Sequence, residues 1–388
     1  MPIVNRIAEF HEEITQWRRD LHTNPELMYD LPETAKTLES RLKSFGCDDV
    51  VTGLGQTGVV AVIKGRKDTS GRVVALRSDM DALPIEEMTG KSYQSKNTGK
   101  MHACGHDGHM SMLLGAAKYL TETRNFDGTA VLIFQPAEEG GAGAKAMIED
   151  GLMERFGIQE VFGMHNFPGI PLGNFAIRSG SITAATDEFA ILVEGYGAHA
   201  AKPNLATDPV LIGSAIVQNL QSIASRNVDP LECIVVSTTM FNAGQVFNII
   251  PQTAELRGTI RTLNPDVRDI AEKRFHTIVE NTAAAFGATA KIEYHRGYPV
   301  TSNHADKTEF AAGVASQIVG EERVDANVAP FMVGEDFSYM LQERPGAFIF
   351  MGNGDTAGLH HAEYDFNDEA IPIGVSYWAR LIETAMAA

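Results

Sequence analysis

The densest chemistry in the sequence is the stretch MHACGHDGH, which sets His102, Cys104, His106, Asp107 and His109 within eight positions. Thiolate and imidazole are the ligands of zinc and related divalent ions. In an extended or turning segment, residues two apart such as Cys104 and His106 can face one centre, and Gly105 between them relieves crowding. His106, Asp107 and His109 fall at an expected helix start, where a side chain can anchor a ligand imidazole from behind. The plainer alternative is a core thiol with histidines capping the helix. A zinc finger is disfavoured, because no second Cys-x-x-Cys or His-x-x-x-His pair follows.

Two further stretches belong with this one. QPAEEGGAG puts Glu138 and Glu139 directly after the apolar run TAVLIF, and the end of a parallel strand is where α/β proteins collect their chemistry. The next apolar run ends in MHN, which brings His165 to the corresponding strand end, and GLHHAEYDFND offers His360 or His361. Read singly, the acidic pair is a solvated loop and His165 a structural histidine. Taken together, Cys104, His106, Glu139, His165 and one of the two late histidines make a five-ligand set, enough for two ions that share a bridge. Ions about 3.5 to 4 Å apart acidify a bridging water and polarise the carbonyl it attacks. Glu138, not needed as a ligand, is placed to take that water's proton and hand it to a leaving amine. Amide hydrolysis is the natural product of such a kit.

A competing motif fails on context. Gly53, Gly55 and Gly58 in GLGQTG satisfy a dinucleotide fingerprint by letter, with Asp79 near the spacing of a ribose-binding acid. The fingerprint must open a helix that holds the pyrophosphate, whereas these glycines run into VVAVIKG, a strand. They read as a turn.

The elements that must position these residues alternate. Helical spacing of Ile3, Ile7, Phe10, Ile14 and Trp17 over Ile3 to Leu21, repeated from Thr34 to Phe45, opens the chain. Strands follow from Gly58, Arg72, Thr129 and Glu160, with helices over His106 to about Thr123 and Gly143 to Leu152. This is an α/β pattern with a mostly parallel central sheet. From about Ala185 the order becomes β-α-β-β-α-β, that of a two-layer ferredoxin-like unit, with helices over Pro209 to Ser225 and Pro265 to Phe286. A final helix runs from Glu369. The expected organisation is a larger catalytic dimetal domain, 1–184 plus 298–388, with a smaller α+β domain inserted at 185–297.

Composition sets the outer bounds. The 388 residues are 44% hydrophobic, with 36 Gly and 16 Pro dispersed along the chain, which excludes disorder and fibres. Thirty-two Lys and Arg against fifty Asp and Glu give a net charge of −18. Such a surface repels nucleic acid and anionic lipid. No apolar run reaches the roughly 18 to 20 residues of a spanning helix, and the first residues lack a basic then apolar leader. The expectation is a cytoplasmic protein without nucleic-acid or membrane partners. Cys47, Cys104 and Cys233 form no disulfide framework.

Beyond these readings, the ordered set RSDMDALPI, MHACGHDGH, QPAEEGGAGA, GMHN, GYGAHAAKPN, FNIIPQTAELRGTIRT, VGEDFSYM and LHHAEYDFND resembles the M20 metallopeptidase family, in its amidohydrolase branch of N-acyl-amino-acid, hippurate and indole-acetyl-amino-acid hydrolases. The likeness runs from about Trp17 to Asp368. It implies a catalytic domain with a dimetal centre and an inserted lid that often serves dimerisation. It places the ligands of two divalent ions (Zn, Mn, Co or Ni) on Cys104, His106, Glu139, His165 and His360, the last chosen over His361, and the general base on Glu138. It leaves Asp81 behind the ligands. His199 matches a histidine that stabilises the oxyanion, in dimeric relatives from the partner subunit, and Asn248 and Arg261 match residues that hold the substrate carboxylate; a surface ion pair is the plainer reading of Arg261. Ala362 and Glu363 stand where many relatives have proline and a histidine or basic residue, which bears on acyl preference. The implied activity is hydrolysis of N-acyl amino acids by a homodimer or higher oligomer formed through the small domain. The rivals are a dipeptidase or aminopeptidase of the same superfamily and a metal-binding protein without catalysis.

Overall fold

The computed structural model describes residues 4–388, so Ile3 of the first expected helix lies outside the described residues. The chain divides into two compact units. One comprises Met1–Ile182, Ser302–Ala329 and Asp336–Ala388, the other Thr183–Thr301 and Pro330–Glu335.

The first unit is built on an eight-stranded sheet. Its spatial order is Asp49–Leu54, Gly58–Lys64, Thr129–Gln135, Val73–Asp79, Glu160–Pro168, Gly346–Gly354, Phe175–Ala176 and Val324–Asp325. The four strands from Thr129–Gln135 to Gly346–Gly354 run parallel. Runs such as VVALRSD and TAVLIFQ are buried almost throughout, as strands covered by helices on both faces must be. Asp49–Leu54 and Gly58–Lys64 pair antiparallel as a hairpin, and Gly55, at φ +55°, lies in its turn. No helix opens at GLGQTG.

Helix His106–Thr123 is buried on every side through its first three turns. It packs among Ile14, Trp17 and Leu21 from His11–Thr23 and Val375, Trp378 and Ile382 from Ile371–Ala385. Three expected helices are shorter or divided. The opening one breaks at Phe10 into Asn5–Glu9 and His11–Thr23. Gly151, at φ +84°, separates Gly143–Glu149 from Leu152–Arg155. Pro209–Leu220 stops short of Ser225, which belongs to a wider turn over Ile223–Asn227.

In the second unit, strands Ile234–Ala243, Thr253–Thr262, Ala185–Glu194 and Thr289–Arg296 form an antiparallel sheet in that spatial order. Residues alternate buried and half-exposed along Ala185–Glu194. The buried face, with Phe189, Ile191, Val193 and Leu256, meets Ile212, Ile216, Phe275 and Val279 from helices Pro209–Leu220 and Pro265–Ala285. Asp208 and Asn264 start those helices by accepting from the amides of Val210 and Asp266, both at 2.9 Å. Arg268 is buried against Asp187, whose other oxygen accepts from the Tyr294 hydroxyl at 2.8 Å.

Candidate metal centre

The carboxyl ends of the four parallel strands open onto one place, and each contributes through the segment that follows it. Val73–Asp79 leads to Asp81 and, through a long loop, to Cys104 and His106. Thr129–Gln135 leads to Glu138 and Glu139. Glu160–Pro168 carries His165, and Gly346–Gly354 leads to His360. The donor atoms of Cys104, His106 and Glu139 lie within 4.8 Å of one another. Cys104 Sγ is 3.4 Å from His165 Nε2, and His360 Nε2 is 3.2 Å from Glu139 Oε1. The five expected ligands therefore converge, with Glu138 beside them in the chain and buried. His361 faces elsewhere: its Nδ1 accepts from the Glu363 amide at 3.1 Å.

Two of the imidazoles are fixed from behind in the manner of metal ligands. His106 Nδ1 donates to the Asp81 carbonyl at 2.7 Å, and His165 Nδ1 donates to the Asn166 carbonyl at 2.6 Å. With Nδ1 committed in this way, each ring turns Nε2 toward the centre, the nitrogen that a bound ion would take. His106 Nε2 is fully buried with no hydrogen-bond partner, which is costly for a nitrogen unless an ion occupies its lone pair. Cys104 points the same way: burial and the charges of Glu139, Glu138 and Asp79 push its thiol well above the usual range. Only a nearby cation makes a thiolate favourable there. The residues present fit divalent metal.

His109 is the exception. Its ring lies 4.5 Å from that of His165, and its donor atoms are close enough to Asp79, His106 and His165 to join them. Both ring nitrogens are nevertheless committed: Nδ1 donates to Asp79 Oδ1 at 2.6 Å, and Nε2 accepts from the Asn166 amide at 2.9 Å. Burial holds its pKa below the ordinary histidine value. His109 props the strand end that carries His165.

The support around the ligands is equally specific. Asp81 accepts from both amides of the carboxylate pair, Glu138 N at 2.9 Å on Oδ1 and Glu139 N at 3.1 Å on Oδ2. Asn166 donates to the Cys104 carbonyl at 2.7 Å and accepts from the Tyr364 hydroxyl at 2.7 Å. A side chain at Gly105 would place its Cβ 2.3 Å from Asn166 Nδ2 and 2.5 Å from Tyr364 Oη, so the segments close only around glycine. Arg77 donates to Gln135, Asp79 and Asp336, each at 2.8 Å, and Asp336 also accepts from the Ala144 amide at 2.9 Å. Ala137 and His360, which flank the site in the chain, hold φ values of +52° and +63°, strain that persists only where the surroundings impose it. Asn166, Tyr364, Arg77 and Asp336 were not singled out in the sequence as supports. Their only signal is position, inside or beside the motifs that carry the ligands.

The other three expected site residues belong to the second unit. His199 is exposed on the short strand Ala198–His199, paired in register with Ile249, and its Nδ1 accepts from the Ala201 amide at 3.1 Å. The ring proton therefore sits on Nε2. Asn248 is exposed and its carbonyl accepts from the Ala200 amide at 3.0 Å, which sets it beside the His199 turn. Arg261 is half-buried on Thr253–Thr262, donating to the Ile260 carbonyl at 3.1 Å.

A mostly parallel sheet that gathers thiol, imidazole and carboxylate donors at its strand ends defines an α/β metallohydrolase. Residues 75–384 match Peptidase family M20/M25/M40, and the chain belongs to that family. It is 42% identical to the hippurate hydrolase of Campylobacter jejuni over 381 residues, covering 98% of each chain. It is 38% identical to the N-acetylcysteine deacetylase of Bacillus subtilis, covering 96% of each. The Bacillus subtilis YXEP protein, described as a dinuclear metal binding peptidase of the M20 family, superposes with a TM-score of 0.84 at 34% identity, over 98% of this chain and 99% of its own. Among the described residues no helix is long and apolar enough to cross a membrane.

Proposed function

We propose that this enzyme hydrolyses the amide bond of N-acyl amino acids, releasing a carboxylic acid and a free amino acid. The observation that carries this reading is the convergence of Cys104, His106, Glu139, His165 and His360 with a second carboxylate, Glu138, next to the ligand Glu139. A protein that merely stores metal has no need of that neighbour. When bound, two divalent ions of the Zn, Mn, Co or Ni type supply a Lewis acid for the substrate carbonyl and an acidified water. Glu138 removes a proton from the attacking water and delivers it to the departing nitrogen, so that the amine leaves neutral. His199 donates from Nε2 to the oxygen that gains charge, and Asn248 and Arg261 receive the free carboxylate of the amino acid. The hippurate hydrolase and N-acetylcysteine deacetylase to which the chain is similar act, by their names, on hippurate and on N-acetylcysteine. Similarity to both supports the class of substrate.

The larger unit is the catalytic domain in this reading, and the smaller one is a lid and dimerisation domain. Strand Ile234–Ala243 is an edge of its sheet, and Phe241, Val246 and Phe247 are exposed on or beside it. An unpaired edge bordered by apolar side chains is suited to a second copy of the chain. A cytoplasmic setting keeps Cys104 reduced.

The experiment is removal of metal with a chelator and return of Mn²⁺ or Zn²⁺ before assay on N-acetyl, N-benzoyl and indole-acetyl amino acids and on unblocked dipeptides. Metal-restored release from blocked substrates is expected. Cleavage of dipeptides alone would move the enzyme to the peptidase branch. Glu138→Gln is expected to keep both ions and lose at least about 100-fold in kcat, within the usual range for a general base; undiminished turnover would remove Glu138 from that role.

A further inference from the structure

The guanidinium of Arg18 is completely buried, although nothing in the chemistry above uses it. Its Nε donates to Asp107 Oδ2 at 2.7 Å, one residue past His106. Its Nη2 donates to Asp365 Oδ1 at 2.8 Å, and its Nη1 lies 3.5 Å from Asp368 Oδ1. Both of those acids are in the stretch that follows His360. The Phe366 ring, 5.8 Å from the Arg18 guanidinium carbon, also packs against the first turn of helix His106–Thr123 so closely that a Cβ at Gly108 would lie 2.4 Å from it. Arg18 thus joins the His360 segment to the helix that begins with His106, while Arg19 Nη2 holds the other oxygen of Asp368 at 2.8 Å and Lys91 and Tyr93 reach Asp365.

His360 is the ligand most in need of such help. Its side chain is 52% exposed, whereas His106 and His165 are buried. It stands at φ +63°, and its own amide is tied to the Ala103 carbonyl at 2.8 Å. A planar guanidinium can hold three carboxylates at fixed angles at once, which an ammonium cannot.

We infer that Arg18 is a positioning residue of the metal centre, acting through the 360–368 segment to hold His360 in ligating geometry. The inference rests on the dimetal reading. It predicts selectivity: an ion that uses His360 weakens when Arg18 is altered, and an ion that does not is spared.

The test measures Mn²⁺ binding by competition with a chromophoric chelator in the wild type, Arg18→Lys, His360→Ala and the double variant, with folding followed by circular dichroism. Arg18→Lys is expected to weaken one of the two ions about 10- to 100-fold, the range for residues that orient ligands from behind, and to leave the other within twofold. In the His360→Ala background the same change is expected to add less than twofold, because both act on one contact. Should Arg18→Lys fail to fold, Asp365→Asn, which loosens the same clamp at its 2.8 Å bond while keeping its cation, is measured with the same expectation. Leu42→Ala, in the core away from the site, serves as a variant of lowered stability with both affinities unchanged. Equal weakening of both ions, or full additivity with His360→Ala, would overturn the inference and leave Arg18 a stabiliser of the fold. Fewer than two ions in the wild type would overturn the dimetal reading and this inference with it, while two ions in every variant at unchanged affinity would overturn this inference alone.

Discussion

Asp81→Asn isolates the loop that carries both carboxylates of the proposed mechanism. Asp81 is 1% exposed, and its two oxygens accept the amides of Glu138 and Glu139 at 2.9 and 3.1 Å. The carboxamide keeps one acceptor and turns an NH₂ group toward the other amide, so one charge-assisted bond is lost and a buried N–H is left without an acceptor. A hydrogen bond to a charged group is worth about 1.5 to 3 kcal/mol. Taking about 2 kcal/mol as the cost of holding the pair in place, and about 1.4 kcal/mol per decade, the population with both carboxylates aligned falls about 30-fold. The preceding residue adds to the sensitivity, because Ala137 at φ +52° relaxes as soon as its neighbours release it. The assay is kcat and kcat/KM on a blocked amino acid at saturating Mn²⁺, with bound metal counted by elemental analysis and the fold followed by thermal melting. The expected result is a loss of about 30-fold in kcat with a melting temperature lowered by a few degrees. Turnover within threefold of wild type, in a protein shown to carry the substitution and both ions, would refute the claim that Asp81 sets the carboxylate pair.

Other expectations follow from the same geometry. Cys104→Ala removes the only sulfur donor in the site and is expected to drop the bound metal below two ions per chain; two ions retained would exclude the thiolate as a shared ligand. His102 is completely buried with neither ring nitrogen partnered, and burial lowers its pKa to about 3. Between about pH 6.5 and 3 the unfolded chain holds a proton there that the folded chain refuses, so stability declines as pH falls through that window, by up to about 1.4 kcal/mol per pH unit from this group. In metal-free protein, denaturant titrations of His102→Leu are expected to show a shallower decline than wild type, and parallel curves would contradict the assignment. Arg268→Met leaves Asp187 buried with the Tyr294 hydroxyl as a remaining partner, and breaking a buried pair costs about 3 to 5 kcal/mol. Chemical denaturation should report a loss of that size, and one below about 1 kcal/mol would mean that water reaches the carboxylate.

Much of the site was legible because its donors come in dense local motifs. Cys104 and His106 stand two apart, Glu138 and Glu139 are adjacent, and each group follows an apolar run that reads as a strand. The supports were harder to read, because they are joined only in three dimensions. Nothing in the spacing of Asn166, Tyr364 and Gly105 says that one hydroxyl and one amide close over one glycine. The strand Gly346–Gly354 was hidden for a related reason. Its run GAFIFMGNG is apolar on both faces and lacks the alternation that marks a half-exposed strand, so periodicity alone does not tell it from a buried helix segment. Helix ends differ from the periodic pattern where a local backbone choice decides them, as at Phe10 and Gly151. In the inserted segment the hydrophobic pattern sufficed for the order of the elements, but the spatial order of its strands came only with the pairing.

The candidate donors of the centre are spread from Cys104 to His360, and the whole of Thr183–Thr301 is spelled out between the fourth and the fifth. For a chain made from its amino end this fixes a timetable. Four donors leave the ribosome early, and His360 follows 360 − 165 = 195 residues after His165, roughly 10 to 40 s later at ordinary rates of synthesis. Throughout that interval the nascent chain displays a thiol, two imidazoles and a carboxylate without the histidine that completes them. A product cut short before His360 therefore carries at most four of the five candidate donors.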